Sequence, residues 1–387
     1  MKGIYLDNGA TSFPKAPGVA ESISNYLINI GCSVNRGAYT NSYTAEGVVY
    51  ETRELICKLF KFHKPENVVF TKNITESLNI IIKGLLNSGD HVIVSSMEHN
   101  AVMRPLTSLQ SKGVEFSRVQ CDKFGQLNSN DIKPLIKHNT KAVIMTNASN
   151  VCGTILPLKD IGKICRENKL FFIIDCAQTA GFCDMDFKEL NAHAIAFTGH
   201  KSLLGPQGTG GFLISDEFIP YVKPLIEGGT GSLSEEEKQP DYMPDKYEGG
   251  TPNTCGIFGL NAALKYILNT GTENIREKEL ELVKIFIDGI ETIPEAKLIG
   301  LDNITNRTGV VSLDFKLFDN AIISHLLSSQ YNIMTRCGLH CAPSAHKTLG
   351  TFPQGTVRFS FSHFNTVEEV NFTLDSIKKC IEKIKNE

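Results

Sequence analysis

Two short runs, ending in residues of opposite charge, set up the chemistry of this chain. Phe171-Phe172-Ile173-Ile174 ends in Asp175, and Ala194-Ile195-Ala196-Phe197 ends in Thr198-Gly199-His200-Lys201. A carboxylate at the end of an apolar strand costs desolvation unless it meets a cation. Asp175 therefore reads either as a helix cap or as the partner of a cationic ring nitrogen. A lysine beside a buried strand end is partly desolvated, which makes its amine less basic and a better nucleophile toward an aldehyde. On its own, Lys201 reads as a loop lysine; beside Asp175 it reads as a cofactor anchor. A third run, Phe70-Thr71-Lys72-Asn73-Ile74-Thr75-Glu76, passes from a strand into a helix starting near Thr75. Free amides at a helix start, together with a hydroxyl, attract anions; plain capping is the other reading. A lysine for an aldehyde, an acid for a pyridine nitrogen and donors for a phosphate are what pyridoxal phosphate needs from a protein. By contrast, Gly205-Pro206-Gln207-Gly208-Thr209-Gly210-Gly211 fits neither a GxGxxG nor a Walker loop, which argues against a dinucleotide or nucleoside triphosphate site.

A second constellation is Thr335-Arg336-Cys337-Gly338-Leu339-His340-Cys341-Ala342-Pro343, with His346 close behind. Cysteine and histidine are zinc ligands, but the Cys-x3-Cys spacing is not that of a zinc knuckle, and no matching second pair occurs. A thiol in a polar loop flanked by Gly and Pro, with Arg and His nearby, reads better as a nucleophile favoured as thiolate. A zinc or redox module built on Cys337 and Cys341 is the non-enzyme alternative.

The elements that position these residues follow from hydrophobic periodicity. Short apolar runs mark strands at Val68-Phe70, His91-Ser95, Ala142-Thr146, Phe171-Asp175, Ala194-Thr198 and Gly211-Ile214. Amphipathic stretches separate them at Ser77-Leu86, Pro157-Asn168 and Asp216-Ile226, and Glu51-Phe62 precedes them. Strand–helix alternation with continuous apolar strands predicts an α/β domain whose largely parallel sheet is covered on both faces. Ligands of such sheets bind beyond the carboxyl ends of the strands, where Asp175 and Lys201 stand. Gly228-Gly250 reads as a long exposed excursion. Helices over Ile257-Leu268 and Thr272-Ile290, strands at Gly309-Asp314 and Thr356-Ser360, and a closing helix over Val367-Ile384 predict a smaller α+β domain. The expected division is a large domain over 15–260, with 1–14 and 261–387 forming the small one.

The chain has 387 residues, a formal charge of -3 and eleven cysteines. That balance gives no basic surface for nucleic acid and no Lys/Arg block for a membrane. The cysteines are odd in number, scattered and without a CxxC pair, so they do not form a disulfide framework. An acidic residue, Asp7, arrives before any signal-like apolar stretch, and no run approaches a membrane span, so a cytoplasmic location is expected.

These residues resemble a family: the class V aminotransferases among the fold-type I pyridoxal phosphate enzymes, and within it the group II cysteine desulfurases and selenocysteine lyases. The resemblance covers essentially the whole chain. It runs through Tyr5-Leu6-Asp7-Asn8-Gly9-Ala10-Thr11, Asn35-Arg36-Gly37, Thr75-Glu76-Ser77 and Met97-Glu98-His99-Asn100-Ala101. It continues through Ser149-Asn150-Val151, Asp175-Cys176-Ala177-Gln178, Thr198-Gly199-His200-Lys201, Gly250-Thr251-Pro252-Asn253-Thr254, Arg336 to Ala342 and Val357-Arg358-Phe359-Ser360.

The resemblance implies a fold-type I α/β architecture with a mainly parallel seven-stranded sheet. It implies that Lys201 binds the cofactor aldehyde, Asp175 pairs with the ring nitrogen, His99 stacks on the ring and Gln178 bonds the ring oxygen. It further implies that Thr75, Thr198 and His200 hold the phosphate, and that Thr251 reaches the phosphate of a neighbouring subunit in a homodimer. Arg358 would grip the substrate carboxylate beside Asn150, Arg36 and Arg336 would line the pocket, and Cys341 would be the nucleophile. The implied reaction converts L-cysteine to L-alanine, leaves a persulfide on Cys341 and passes the sulfur to an acceptor, such as an acceptor protein. L-Selenocysteine, or another reaction of the same superfamily, is the alternative. Leu339 stands where many group II members carry histidine, which leaves the proton donor near the thiol open. The short span from Cys341 to Arg358 favours group II over the longer mobile loop of group I.

Overall fold

The structure, a computed structural model, describes residues 3–34 and 37–386. In chain order it begins with β1 (Ile4–Tyr5), α1 (Val19–Asn25) and α2 (Thr40–Phe60). It continues with β2 (Val68–Thr71), α3 (Ile74–Leu85), β3 (His91–Ser95), α4 (Asn100–Gln110) and β4 (Glu115–Val119). Then come β5 (Thr140–Thr146), α5 (Leu158–Glu167), β6 (Phe171–Asp175), β7 (Ala194–Thr198) and β8 (Gly210–Ile214). The C-terminal part holds α6 (Thr254–Thr270), α7 (Thr272–Ile290), β9 (Lys297–Ile299), β10 (Val310–Asp314) and α8 (Asn320–Tyr331). It closes with β11 (Ile333–Met334), β12 (Arg336–Gly338), α9 (Pro343–Thr348), β13 (Thr356–Ser360) and α10 (Val367–Asn386).

The expected seven-stranded sheet is present, in the order β2-β8-β7-β6-β5-β3-β4. The pairs from β7 to β4 are parallel, and β8 runs antiparallel to both of its neighbours. Consequently β2, β3, β5, β6 and β7 all point the same way, and their carboxyl ends share one edge. The chain leaves β3 toward the β4 edge and returns to the other side of β3 as β5. That reversal is the switch point at which such sheets open a crevice. β7 is buried along its whole length, and β6 from Phe172 onward, because apolar cores cover both faces of the sheet. Each of Phe172, Ile173 and Ile174 contributes roughly 1.5–3 kcal/mol through burial.

A four-stranded antiparallel sheet, β12-β13-β10-β9, carries its own core with α7, α8 and α10. β1 pairs with β11 in a separate two-stranded sheet, and a bridge from Asp7 to Ser360 of β13 ties the N-terminus to the four-stranded one. The four-stranded and seven-stranded sheets meet through the chain after Cys341: Ala342, Ala345 and Leu349 pack into the core of the large sheet. This docking brings the cysteine loop over the crevice.

Some expectations need correction. No α-helix forms over Asp216-Ile226; a short 3-10 turn at Ile219–Tyr221 is all that appears. Pro220 and Pro224 account for it, since each removes an amide donor and obstructs the preceding turn. α2 starts eleven residues before Glu51. β4 and α8 were not marked by the apolar runs, and α4 forms despite Pro105 in its interior. The Gly228–Gly250 stretch contains no α-helix or strand and is mostly exposed, as expected, although Asp245, Lys246 and Tyr247 are buried. No helix among the described residues is long and apolar enough to cross a membrane.

Candidate active site

The crevice collects side chains from five strand ends. Beyond β2, Asn73 caps α3 by accepting from the Glu76 amide at 3.0 Å, which leaves Thr75 exposed in the first turn. This turn sits against β8 because Gly210 has no side chain: a Cβ there would come within 2.7 Å of the Asn73 backbone. Beyond β3, His99 caps α4, and its Nδ1 accepts the Ala101 N–H at 3.0 Å. The ring proton is therefore on Nε2. Thr75, His99, Arg104 and Cys341 line one open cleft.

Asp175 is buried at the end of β6, where one oxygen accepts the Ala177 amide at 2.9 Å. Burial pushes its carboxyl above the ordinary carboxylate range, against the pull of that amide and of Lys201. The acid thus has both a cap-like bond and an unmet need for a cation. Lys201 is pushed down to about 8, first by burial and then by the Arg358 charge, with Asp175 acting in the opposite sense. Lys201 also feels Arg336 and Cys341, so these residues share one electrostatic neighbourhood. Burial, followed by Lys201, Arg336 and Arg358, pushes His99 down to about 3, which keeps it neutral at any physiological pH.

Two buried polar atoms near the lysine have no hydrogen-bond partner, Thr198 Oγ1 and His200 Nδ1. An unpaired buried donor or acceptor is costly. A phosphate set against these atoms and the first turn of α3 would satisfy both. Together with the weakly basic lysine and the cation-seeking acid, these donors fit pyridoxal phosphate. Gln178 is buried, donates to the Gly9 carbonyl at 3.0 Å, and lines a small cavity with Lys201, Asn8 and Ser360.

Arg358 is fully buried on β13. It pairs with Asp7 at 2.7 Å and donates to the Asn150 carbonyl at 3.1 Å, while its Nε has no partner. Sequence reasoning gave Asp7 no role, because nothing local signals a partner 351 positions away. Arg336 lies opposite Arg358 in the β12–β13 register and reaches Cys341 Sγ at 3.7 Å. Cys341 is the one exposed thiol of the eleven. Six of the others are buried and four are partly so. Cys337 follows Arg336 on the strand and so faces away from that side; burial and Asp319 push its thiol up. No group of three or more His, Cys, Asp or Glu among the described residues is placed to hold a metal ion.

Two expected residues are not gathered here. Thr251 is exposed and lines a separate cavity with Thr71, Lys72, Glu76 and Gly208. Arg36 lies outside the described residues. Sequence reasoning also passed over Glu98, which is buried beside His99. Its carboxyl is bonded by the Ser95 hydroxyl and the Thr146 amide, and burial pushes it up to about 8. Its only sequence signal was its place in the run Met97 to Ala101.

Known proteins resemble this chain over nearly its whole length. The aminotransferase class-V family model matches residues 4–372. A probable cysteine desulfurase of Pyrococcus abyssi is 32% identical over 390 residues, covering 99% of this chain and 95% of that one. A probable cysteine desulfurase of Methanothermobacter thermautotrophicus is 31% identical, covering 97% of this chain and 94% of that one. The apo structure of a cysteine desulfurase from Thermococcus onnurineus NA1 superposes with a TM-score of 0.92 at 32% identity, covering 99% and 95% of the two chains. Family model, relatives and fold show that the chain belongs to the class V aminotransferase family.

Proposed function

We propose that this chain is a pyridoxal phosphate-dependent cysteine desulfurase that converts L-cysteine to L-alanine and keeps the sulfur as a persulfide on Cys341. The observation that carries this reading is one exposed thiol, beside Arg336, set over a crevice that holds a weakly basic lysine. Reactions of the same superfamily without sulfur chemistry have no use for that thiol.

When bound, the cofactor supplies an electron sink for chemistry at the substrate α-carbon. The residues of the chain then divide the work. Lys201 would hold the cofactor by its aldehyde, and its Nζ would take the α-proton; burial, which pushes this amine down to about 8, suits it to that work. Asp175 would hold the proton on the ring nitrogen. His99 would cover the ring as a neutral imidazole, Gln178 would serve the ring oxygen, and Thr75, Thr198 and His200 would hold the phosphate. Arg358, fixed by Asp7 and with its Nε free, orients the substrate carboxylate beside Asn150, while Arg336 and Arg36 line the pocket. Cys341 Sγ attacks the substrate sulfur. A sulfur–sulfur bond forms, the substrate carbon–sulfur bond breaks with its electron pair left on carbon, and that carbon gains a proton; Lys201 Nζ returns a proton to the α-carbon, and the product is alanine.

The same reading takes the protein as a homodimer, with Thr251 serving the neighbouring subunit's phosphate, and a sulfur-acceptor protein as its partner. It divides the chain into a large domain over 15–260 and a small one formed by 1–14 and 261–387. The test is alanine formation from L-cysteine by the cofactor-loaded protein, with L-selenocysteine run in parallel. Alanine from L-cysteine is expected, with none from Lys201→Ala; absence of alanine from the loaded wild type overturns the reading.

A further inference from the structure

The turn that presents Cys341 is strained. His340 has φ 47° and Cys341 φ 59°, two consecutive non-glycine residues in the left-handed region. Such a turn persists only when its surroundings fix it, and here they do so by a closed circuit. Asn150 Nδ2 donates to the His340 carbonyl at 2.7 Å. Ser312 Oγ donates to the Val151 carbonyl at 2.6 Å, and Thr356 Oγ1 donates to Ser312 Oγ at 3.1 Å. The Thr356 hydroxyl has then spent its proton, so it must accept from His340 Nε2 across their 3.0 Å contact. The circuit leaves the Asn150 side chain, passes through His340, Thr356 and Ser312, and returns at the carbonyl of the adjacent Val151. His340 and Asn150 are buried, and Ser312 and Thr356 have no exposed surface. On the far side of the turn, the Asn100 amide donates to the Cys341 carbonyl at 2.8 Å.

We propose that Thr356 and Ser312 are positioning residues for the nucleophile: through His340 they hold the strained turn that sets where Cys341 Sγ stands. His340 is not an acid for the thiol. Its Nε2 proton goes to Thr356, and its Nδ1 is a bare, unpartnered nitrogen. The circuit fixes where the thiol stands, beside Arg336, and supplies no proton to it. The inference rests on the reading of Cys341 as the nucleophile.

Thr356→Val keeps the shape and removes the acceptor, while Thr356→Ser keeps the hydroxyl. In single turnover with L-cysteine, T356V is expected to form persulfide on Cys341 about 10- to 100-fold more slowly, the range for a small misplacement of a reacting group. Cofactor absorbance and the concentration of L-cysteine giving half-maximal rate should stay unchanged, and T356S should restore the rate. In cofactor-free protein, alkylation of the Cys341 peptide by iodoacetamide should slow several-fold in T356V, because the thiol leaves its exposed place on the turn. Should T356V not fold, Ser312→Ala removes the next link and should slow persulfide formation in the same sense. Wild-type persulfide and alkylation rates in a folded T356V overturn the brace, as does failure of T356S to rescue. Wild-type alanine formation by Cys341→Ser would instead overturn the underlying reading, whatever the Thr356 variants do.

Discussion

Raising the pH on the cofactor-free protein should switch on Lys201 well below the range of an ordinary lysine. Its amine is pushed down to about 8 from 10.5, mainly by burial and by Arg358. At pH 7 roughly a tenth of Lys201 is then free amine, against about 0.03% for an exposed lysine, so the reactive fraction is about 300-fold larger. The sign is that of a buried cation. Burial disfavours the charged form, so between about 8 and 10.5 the folded chain binds fewer protons than the unfolded one. This group therefore favours folding more as pH rises through that window. The assay is the rate at which the cofactor-free protein binds saturating pyridoxal phosphate covalently, followed by absorbance from pH 6 to 10, with Lys201→Ala as the blank. The rate should rise with a midpoint near 8. A midpoint at or above 10, or the same signal from K201A, rules out Lys201 as the weakly basic amine.

Other residues give further tests. Asp175→Asn removes the buried anion that meets the ring nitrogen; alanine formation should fall by about 100-fold or more while the protein still binds cofactor, and a rate within threefold of wild type contradicts the role. Arg358→Lys loses the planar fork that Asp7 and the Asn150 carbonyl hold in place; KM for L-cysteine should rise about tenfold or more with a smaller change in kcat, and an unchanged KM removes Arg358 from the substrate site. Because His99 sits near 3 and not at 6.5, the pH–rate profile should show no limb belonging to it. A limb near pH 6.5 that vanishes in His99→Gln contradicts a neutral imidazole.

What the sequence reveals follows from the range of each interaction. β6 and β7 are legible because a continuous apolar run of this length, closed by Asp175 or Thr198, suits a strand buried on both faces. The half-exposed Glu115–Val119 strand has no such run, and Pro105 hides α4. Over 216–226 the apolar spacing suggests a helix that two prolines forbid. Within the site, Lys201, Asp175, His99 and Cys341 are each marked by a local motif. The Asp7–Arg358 pair and the Ser312–Thr356–His340 brace join segments far apart in the chain, and no local pattern encodes which hydroxyl or carboxylate will arrive.

Everything proposed for the site converges on Cys341 as the atom that takes the sulfur. Mass spectrometry of the peptides of cofactor-loaded protein after one turnover with L-cysteine, with alanine counted in the same sample, reads that step out. One added sulfur atom on the Cys341 peptide, matched by one alanine and absent from Cys341→Ser, is the expected result. Sulfur carried on another cysteine, or alanine formed by Cys341→Ser at the wild-type rate, contradicts it.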